Sequence, residues 1–187
     1  MKAFRQLRAN VGVLAKARRH RLDLVRALVR RPQLLIGVGL YEVAIALSAR
    51  VDPRLKILAE LKVAALVACE HCLDIGSLLA RGTGVTERQL RELHIFRTSD
   101  AFDDDERLVI EVAEALSVVP ATLSDDLRAR LAARFSTAER TELAATIAWE
   151  NQRARLNQAL GVRPSGFSDG RFCALPETAV SSVSAAT

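Results

Sequence analysis

The chain is poor in the residues that build β-sheets and disulfide-stapled domains. Aromatic residues make up only 4% of its 187 residues, and it has three cysteines. Ala, Leu, Val and Arg dominate instead, which is typical of packed helices rather than of a β-sandwich. Three cysteines do not form the framework that staples small secreted domains, so a reducing compartment fits better. The composition therefore predicts an all-α protein of the cytoplasm.

The chain also lacks an apolar run long enough to span a bilayer. Its longest run covers residues 34–49, is interrupted by Glu42 and two glycines, and falls short of the roughly 20 residues that a span needs. The N-terminus has no small-residue cleavage site of the kind that ends a signal peptide. We therefore expect neither a membrane span nor export. A helix over residues 33–48 is nearly apolar all round, so we expect it to be buried in the core.

Acidic residues are scarce at the N-terminal end. Residues 1–31 hold ten Lys or Arg but one acid, Asp23, so this segment carries +9 while the rest of the chain carries −4. A basic helix of this kind docks on its own domain or on a partner subunit, or it binds nucleic acid or an anionic membrane surface. No nucleic-acid motif and no interleaved aromatic residues accompany the charge. We therefore expect a helix that docks on protein, with no nucleic-acid partner.

Capping residues mark the helix starts along one predicted domain. Asp52 and Pro53 begin a helix that runs toward the first two cysteines. Further N-caps or acidic first turns predict the other starts, which lie at Thr86, Asp103, Ser124 and Ser136. The pattern predicts a single helical domain over residues 1–177, with an irregular segment after Gly161 and a disordered tail over residues 178–187.

The spacing of Cys69 and Cys72 allows thiol–disulfide chemistry. Helical residues three apart have Cβ atoms roughly 5–6 Å apart, and a disulfide needs about 3.5–4.5 Å, so a modest local adjustment closes the bridge. A helix N-terminus at this point would lower the thiol pKa. Inert packing and a zinc site are the alternatives. His94 and Cys173 are isolated and no second Cys-x-x-Cys exists, so we expect no metal. A thioredoxin motif requires a βαβ unit that a helical chain does not offer.

Three stretches of the chain resemble a known family. They are the stretch from Arg54 to Cys72, the stretch from Glu142 to Gly161 with its Glu-Asn pair, and the segment from Gly166 to Pro176. Together they resemble the carboxymuconolactone decarboxylase superfamily, specifically its alkylhydroperoxidase-D-like branch. The resemblance implies an alkylhydroperoxidase-D-like helical bundle, a homo-oligomer, and a reaction without a cofactor. It also implies that Cys72 attacks a hydroperoxide and that Cys69 resolves the sulfenic acid to a disulfide, which a protein reductant then reduces.

The proton relay of that branch is absent from its usual positions. The branch has a His four residues after the second cysteine and a Glu twelve residues before the first, and these positions hold Gly76 and Ile57 here. A positioned base contributes about 10²–10⁴-fold to a rate. Glu60 lies one turn beyond Ile57 on much the same helix face, which makes it a candidate substitute for the catalytic relay. The alternative is that Glu60 pairs with Lys56 or Lys62.

Four further polar residues are candidates for substrate binding. His71 adjoins Cys72, although neighbours on a helix point about 100° apart. Glu150, Asn151 and Arg153 lie on the predicted last helix, where they either approach the cysteines or form an internal hydrogen-bond cluster. The sequence thus predicts a thiol-dependent antioxidant oxidoreductase that reduces hydroperoxides or exchanges disulfides. Two alternatives stay open: a non-catalytic helical oligomerisation or binding module, and a lactone decarboxylase.

Overall fold

The computed structural model describes residue 20 and residues 23–178, and every regular element in that part of the chain is helical. The all-α prediction is confirmed. The α-helices are α1 (Asp23–Leu28), α2 (Pro32–Leu47), α3 (Pro53–Leu66), α4 (Glu70–Gly82), α5 (Glu87–Glu92), α6 (Asp104–Ala115), α7 (Asp125–Arg134) and α8 (Thr137–Ala159), with a 3₁₀ turn over Leu93–Ile95. Most of the predicted basic segment and of the predicted disordered tail lies outside the described residues. None of the described helices is long and apolar enough to cross a membrane.

Local capping chemistry sets the helix starts as predicted. The Asp52 carboxylate accepts the N–H of Arg54 at the start of α3. Thr86 with Gln89, and Ser136 with Glu139, form the reciprocal bonds of a capping box. The acidic run before α6 also closes a capping box, and Ser124 caps α7.

Helix α3 lies at the centre and is buried on nearly every side. It packs against α4, α6 and α8, and its buried residues include two lysines. Buried ammonium groups need partners. Lys56 Nζ lies 2.7 Å from Glu142 Oε1 and donates to the Ser48 carbonyl oxygen. Lys62 pairs with Glu177 and Glu114. Neither lysine pairs with Glu60, so that alternative from the sequence is wrong.

The expectation that the second apolar helix is buried is also wrong. Ala46 is the one buried residue of α2. The ring of Tyr41 stacks on Trp149 of α8 at a centroid distance of 4.3 Å. On another face an apolar stripe is exposed, consisting of Ile36, Leu40, Val43 and Leu47 with exposures of 61, 66, 43 and 49%. A helix that is apolar all round stays covered only where neighbours surround it. The described part of the chain gives α2 such neighbours on one side only.

An irregular C-terminal segment (residues 162–178) wraps over α4 and is anchored there by one buried carboxylate. Asp74 accepts backbone N–H bonds from Ser165, Phe167 and Ser168 at 2.9, 3.1 and 2.7 Å. The Ser168 hydroxyl donates to the Asp74 carbonyl oxygen at 2.9 Å. This agrees with the sequence prediction that the chain beyond Gly161 covers the surface without periodic structure.

Replacing this anchor is expected to loosen the C-terminal segment. Asp74→Ala leaves three N–H donors without their acceptor, which we expect to lower the free energy of unfolding by about 3 kcal/mol. Urea unfolding measures the loss, and the rate of tryptic cleavage after Arg171 reports release of the segment. Asp100→Ala, at a carboxylate with 82% side-chain exposure, is the matched control. Equal stability and equal cleavage in both variants would contradict the anchoring role.

Candidate active site at the Cys69–Cys72 pair

The chain turns between α3 and α4 through a compact helix-terminating motif. The N–H of Cys69 donates to the Ala64 carbonyl at 2.9 Å, and the N–H of Ala68 donates to the Ala65 carbonyl at 3.3 Å. Ala68 adopts the left-handed conformation, with φ of 57°. These are the two bonds of a Schellman motif, which usually has glycine at the left-handed position. The next helix begins without a spacer, which places Cys69 at its N-cap.

Both cysteines therefore lie at the positive end of α4. The sulfur of Cys69 accepts the backbone N–H of Cys72 at 3.3 Å. A disulfide joins the two residues across a Cα–Cα distance of 5.3 Å, which is within the ordinary range. Their exposures are only 2 and 5%. When the bridge is reduced, the N-terminal N–H groups and the helix dipole favour the thiolate form.

A residue that sequence reasoning missed completes the surroundings of Cys72. Nδ2 of Asn157 in α8 lies 3.5 Å from Cys72 Sγ and donates to it. Asn157 is 2% exposed, and its buried Oδ1 finds no hydrogen-bond partner in the part of the chain that the structure describes. One indication of Asn157 is present in the sequence: it follows Glu150 by seven residues and Arg153 by four, which places it on the same face of the helix as these two candidates.

A cluster of three carboxylates surrounds Arg153. The guanidinium bonds both oxygens of Glu42 at 3.0 and 3.1 Å, and Nε lies 2.7 Å from Glu150 Oε2. Its Nη2 reaches Glu60 Oε1 at 3.4 Å. The second oxygen of Glu150, Oε1, is buried and makes no hydrogen bond to any described residue. The structure thus brings together three predicted site residues, Glu60, Glu150 and Arg153, and links them to α2.

Burial perturbs the protonation of this cluster. Desolvation raises the pKa of Glu60, against the attraction of Arg153. Desolvation also raises the pKa of Glu150, to about 7. The neighbouring Glu60 carboxylate adds to this shift, and the attraction of Arg153 offsets only part of it. Burial alone lowers the pKa of Arg153, but the three carboxylates raise it well above the usual range. The cluster is therefore able to hold a proton near neutral pH.

The other two predicted substrate-binding residues make contacts elsewhere. His71 Nδ1 donates to the Arg163 carbonyl at 3.0 Å, and its ring meets that of Phe167 edge-on. The Asn151 amide donates to Ser117 Oγ at 2.9 Å and to the Ile147 carbonyl. These bonds hold the C-terminal segment and the end of α6, respectively.

Cys173 keeps a free thiol beside the C-terminal segment. The Ser77 hydroxyl donates to Cys173 Sγ at 3.7 Å, and burial raises the pKa of the thiol. It lines a cavity of about 420 Å³ together with Leu73, Asp74 and segment residues. The described residues include no group of three or more His, Cys, Asp or Glu side chains arranged to hold a metal ion.

Known proteins share both the sequence and the fold. Residues 36–115 match the Carboxymuconolactone decarboxylase family. Over 127 residues the chain is 40% identical to the uncharacterised protein YnjA of Escherichia coli (strain K12). This chain belongs to the carboxymuconolactone decarboxylase family. The YnjA match covers 67% of this chain and 66% of YnjA, so the chain spans just under two thirds of that relative.

Two solved structures carry the same fold as this family member. The debrominase Bmp8, in its apo form, has a TM-score of 0.70 at 23% identity, covering 86% of this chain and 90% of Bmp8. ATU0492 from Agrobacterium tumefaciens, a protein of unknown function proposed to be the antioxidant defence protein AhpD, has a TM-score of 0.66 at 20% identity. That match covers 74% of this chain and 94% of ATU0492. The alkylhydroperoxidase-D-like helical fold is therefore confirmed.

The two relay positions, Ile57 and Gly76, are apolar in this family member, and both are packed against neighbouring side chains. Ile57 is 5% exposed. A Cβ atom at Gly76 would lie 2.9 Å from Leu61 Cδ2, so a histidine there would require Leu61 to move. Ile57 also lines a cavity of about 70 Å³, whose walls include Glu60 and Arg153. Arg153 precedes Asn157, the residue that contacts Cys72, by four residues on the same face of α8.

The high pKa of Glu150 has a consequence for stability. A carboxyl whose folded-state pKa is raised above 4.5 to about 7 binds its proton more tightly in the folded state than in the unfolded one. The stability it contributes is complete below about pH 4.5 and is lost as the pH rises through about 7. Glu150→Gln is expected to reduce the pH dependence of the urea unfolding midpoint between these pH values. Glu87→Gln, at a side chain with 48% exposure, should keep the wild-type slope. An unchanged slope in Glu150→Gln would contradict the assignment.

Proposed function

We propose that this protein is a thiol-dependent oxidoreductase that reduces hydroperoxides through a Cys69–Cys72 thiol/disulfide cycle. The observation that carries the proposal is the pairing of the two sulfurs at the start of α4, with an N–H donor on each. Such donors favour the thiolate, which is the nucleophile in peroxide reduction. The pair also reaches disulfide geometry without a long chain movement, since both residues belong to one helical turn.

The proposed cycle has three steps: peroxide reduction, disulfide formation and reduction of the disulfide. The Cys72 thiolate attacks the terminal oxygen of a hydroperoxide, the O–O bond breaks, and Cys72 becomes a sulfenic acid while the alkoxide takes up a proton. The Cys69 thiol then attacks the sulfenic sulfur, and the disulfide forms with loss of water. An external dithiol or a protein thiol returns two electrons by disulfide exchange. This last step fits a reducing compartment, for which we propose the cytoplasm.

Glu60 is our proposed source of the proton. It replaces the relay that Ile57 and Gly76 do not supply, and its bond to Arg153 holds it at the wall of the small cavity. Glu150 shares the same guanidinium, and its raised pKa makes it a proton store near neutral pH. In this proposal Arg153 lines the substrate site with Glu60, and Glu150 acts on that site through the guanidinium that it shares with Glu60, whereas His71 and Asn151 hold the surrounding structure.

Cysteine substitutions separate this proposal from its alternatives. The reduced Cys173→Ser protein, treated with one equivalent of cumene hydroperoxide, is expected to lose two thiols and gain the Cys69–Cys72 disulfide by peptide mapping. Cys69→Ser should stop at a Cys72 sulfenic acid that dimedone traps, because the resolving thiol is gone. Cys72→Ser should consume no peroxide.

The outcome of this experiment decides between classes of protein. In a non-catalytic oligomerisation module, peroxide would oxidise Cys69 and Cys72 no faster than it oxidises free cysteine at the same concentration. A lactone decarboxylase turns over a muconolactone equally well in the Cys69→Ser/Cys72→Ser variant. Either result would reject the thiol cycle.

We also propose that a second copy of the chain covers the apolar stripe of α2. The four exposed side chains lie at helical spacing of four, three and four residues, so they form one continuous row. α2 carries no basic residue that would favour an anionic membrane surface. Two copies related by a two-fold axis would bury both stripes at once.

Charges on the stripe are expected to break this association. Ile36→Glu/Leu40→Glu places two carboxylates in the proposed interface and should convert a dimer or larger oligomer to monomer in light scattering after size-exclusion chromatography. Ile95→Glu introduces a charge at a side chain that is 46% exposed outside α2 and should leave the mass unchanged. A monomeric wild-type protein would contradict the proposal.

A further inference from the structure

The side-chain amide of Asn157 uses its donor but not its acceptor. Its nitrogen donates to Cys72 Sγ at 3.5 Å, while its oxygen is buried and has no hydrogen-bond partner among the described residues. An unpaired buried acceptor destabilises the folded state, and such groups in native proteins often have a functional explanation. Here the same amide contacts a reactive atom, the sulfur of Cys72.

The two sulfurs differ in what surrounds them. Cys69 Sγ accepts a backbone N–H, from Cys72. Cys72 Sγ accepts a side-chain N–H from a planar amide that carries an acceptor beside the donor. A thiolate requires donors only, but a sulfenic acid also has an O–H that requires an acceptor. The arrangement at Cys72 suits both species, and the arrangement at Cys69 suits only the first.

We infer that Asn157 is a catalytic residue that recognises Cys72 in two successive states. Its N–H stabilises the attacking thiolate, and its carbonyl oxygen accepts the O–H of the sulfenic acid formed there. The inference rests on the proposed peroxide reaction for its second half. In that step the thiolate takes one oxygen from the hydroperoxide, the alkoxide leaves with the electron pair of the O–O bond, and the oxygen on sulfur is protonated.

Asn157 orients these groups and does not replace the missing base. A carboxamide does not titrate in the range where proteins function, so it accepts no proton from a thiol. Its contribution is to hold a charge and then a hydroxyl within a buried site where water is excluded. The alkoxide that leaves still takes its proton from another group, and Glu60 retains that proposed role.

The first readout is the acidity of Cys72, measured without peroxide. In a Cys69→Ser/Cys173→Ser background, the rate of iodoacetamide alkylation against pH gives the pKa of the one remaining thiol. Asn157→Asp keeps the shape but exchanges the donor for a negative charge, so the pKa of Cys72 should rise by about one unit or more. Asn157→Leu should raise it by less. Asn151→Asp, on the same helix but bonded to Ser117, should leave it unchanged.

The second readout is the sulfenic acid itself. After one equivalent of cumene hydroperoxide, the yield of dimedone adduct as a function of delay gives the lifetime of the Cys72 sulfenic acid. Asn157→Leu should shorten that lifetime several-fold, and Asn151→Leu should not. If wild-type Cys72 resists peroxide, the proposed function fails while the alkylation result still tests the thiolate contact. An unchanged pKa of Cys72 in both Asn157 variants, with native circular dichroism, would overturn the inference.

Discussion

The burial of α3 on nearly every side is the constraint on which the rest of the structure depends. A helix in that position gains apolar contacts with α4, α6 and α8, but it also takes Lys56 and Lys62 out of water. Each lysine then needs a carboxylate from another part of the chain. Glu142 of α8 and Glu177 of the C-terminal segment supply them. The central helix thereby fixes the positions of the elements that carry the candidate site.

The same constraint explains why Glu60 is bonded to an arginine. Both nearby lysines are already paired with other carboxylates, and Arg153 of α8 is the cation that Glu60 contacts. That guanidinium also bonds Glu42 and Glu150, so a single positive charge faces three carboxylates and neutralises only part of their negative charge. Excess negative charge in a place with little water is what raises the affinity for protons. The raised proton affinity of Glu60 and Glu150 thus arises from core packing.

Features determined by neighbours in the sequence were predictable, and features determined by distant residues were not. Thr86 with Gln89, and Ser136 with Glu139, cap helices through bonds within one turn, so the pattern alone identifies them. The partner of Glu60 lies 93 residues away. The exposure of α2 depends on which helices surround it, which its own apolarity does not reveal. Asn157 shares a helix face with Glu150 and Arg153, but its contact with Cys72 joins residues 85 positions apart, which no local pattern reveals.

The start of α4 carries both the sulfur pair and the anchor of the C-terminal segment. Cys72 belongs to the buried sulfur pair, and Asp74, two residues later, holds the C-terminal segment through three hydrogen bonds from backbone N–H groups. Cysteines with exposures of 2 and 5% become accessible to a bulky protein thiol only when the start of the helix opens locally. Such an opening also breaks the bonds that Asp74 makes to the C-terminal segment. In the proposed thiol cycle, the rate of reduction by a protein thiol would therefore be limited by how often this segment is released from α4.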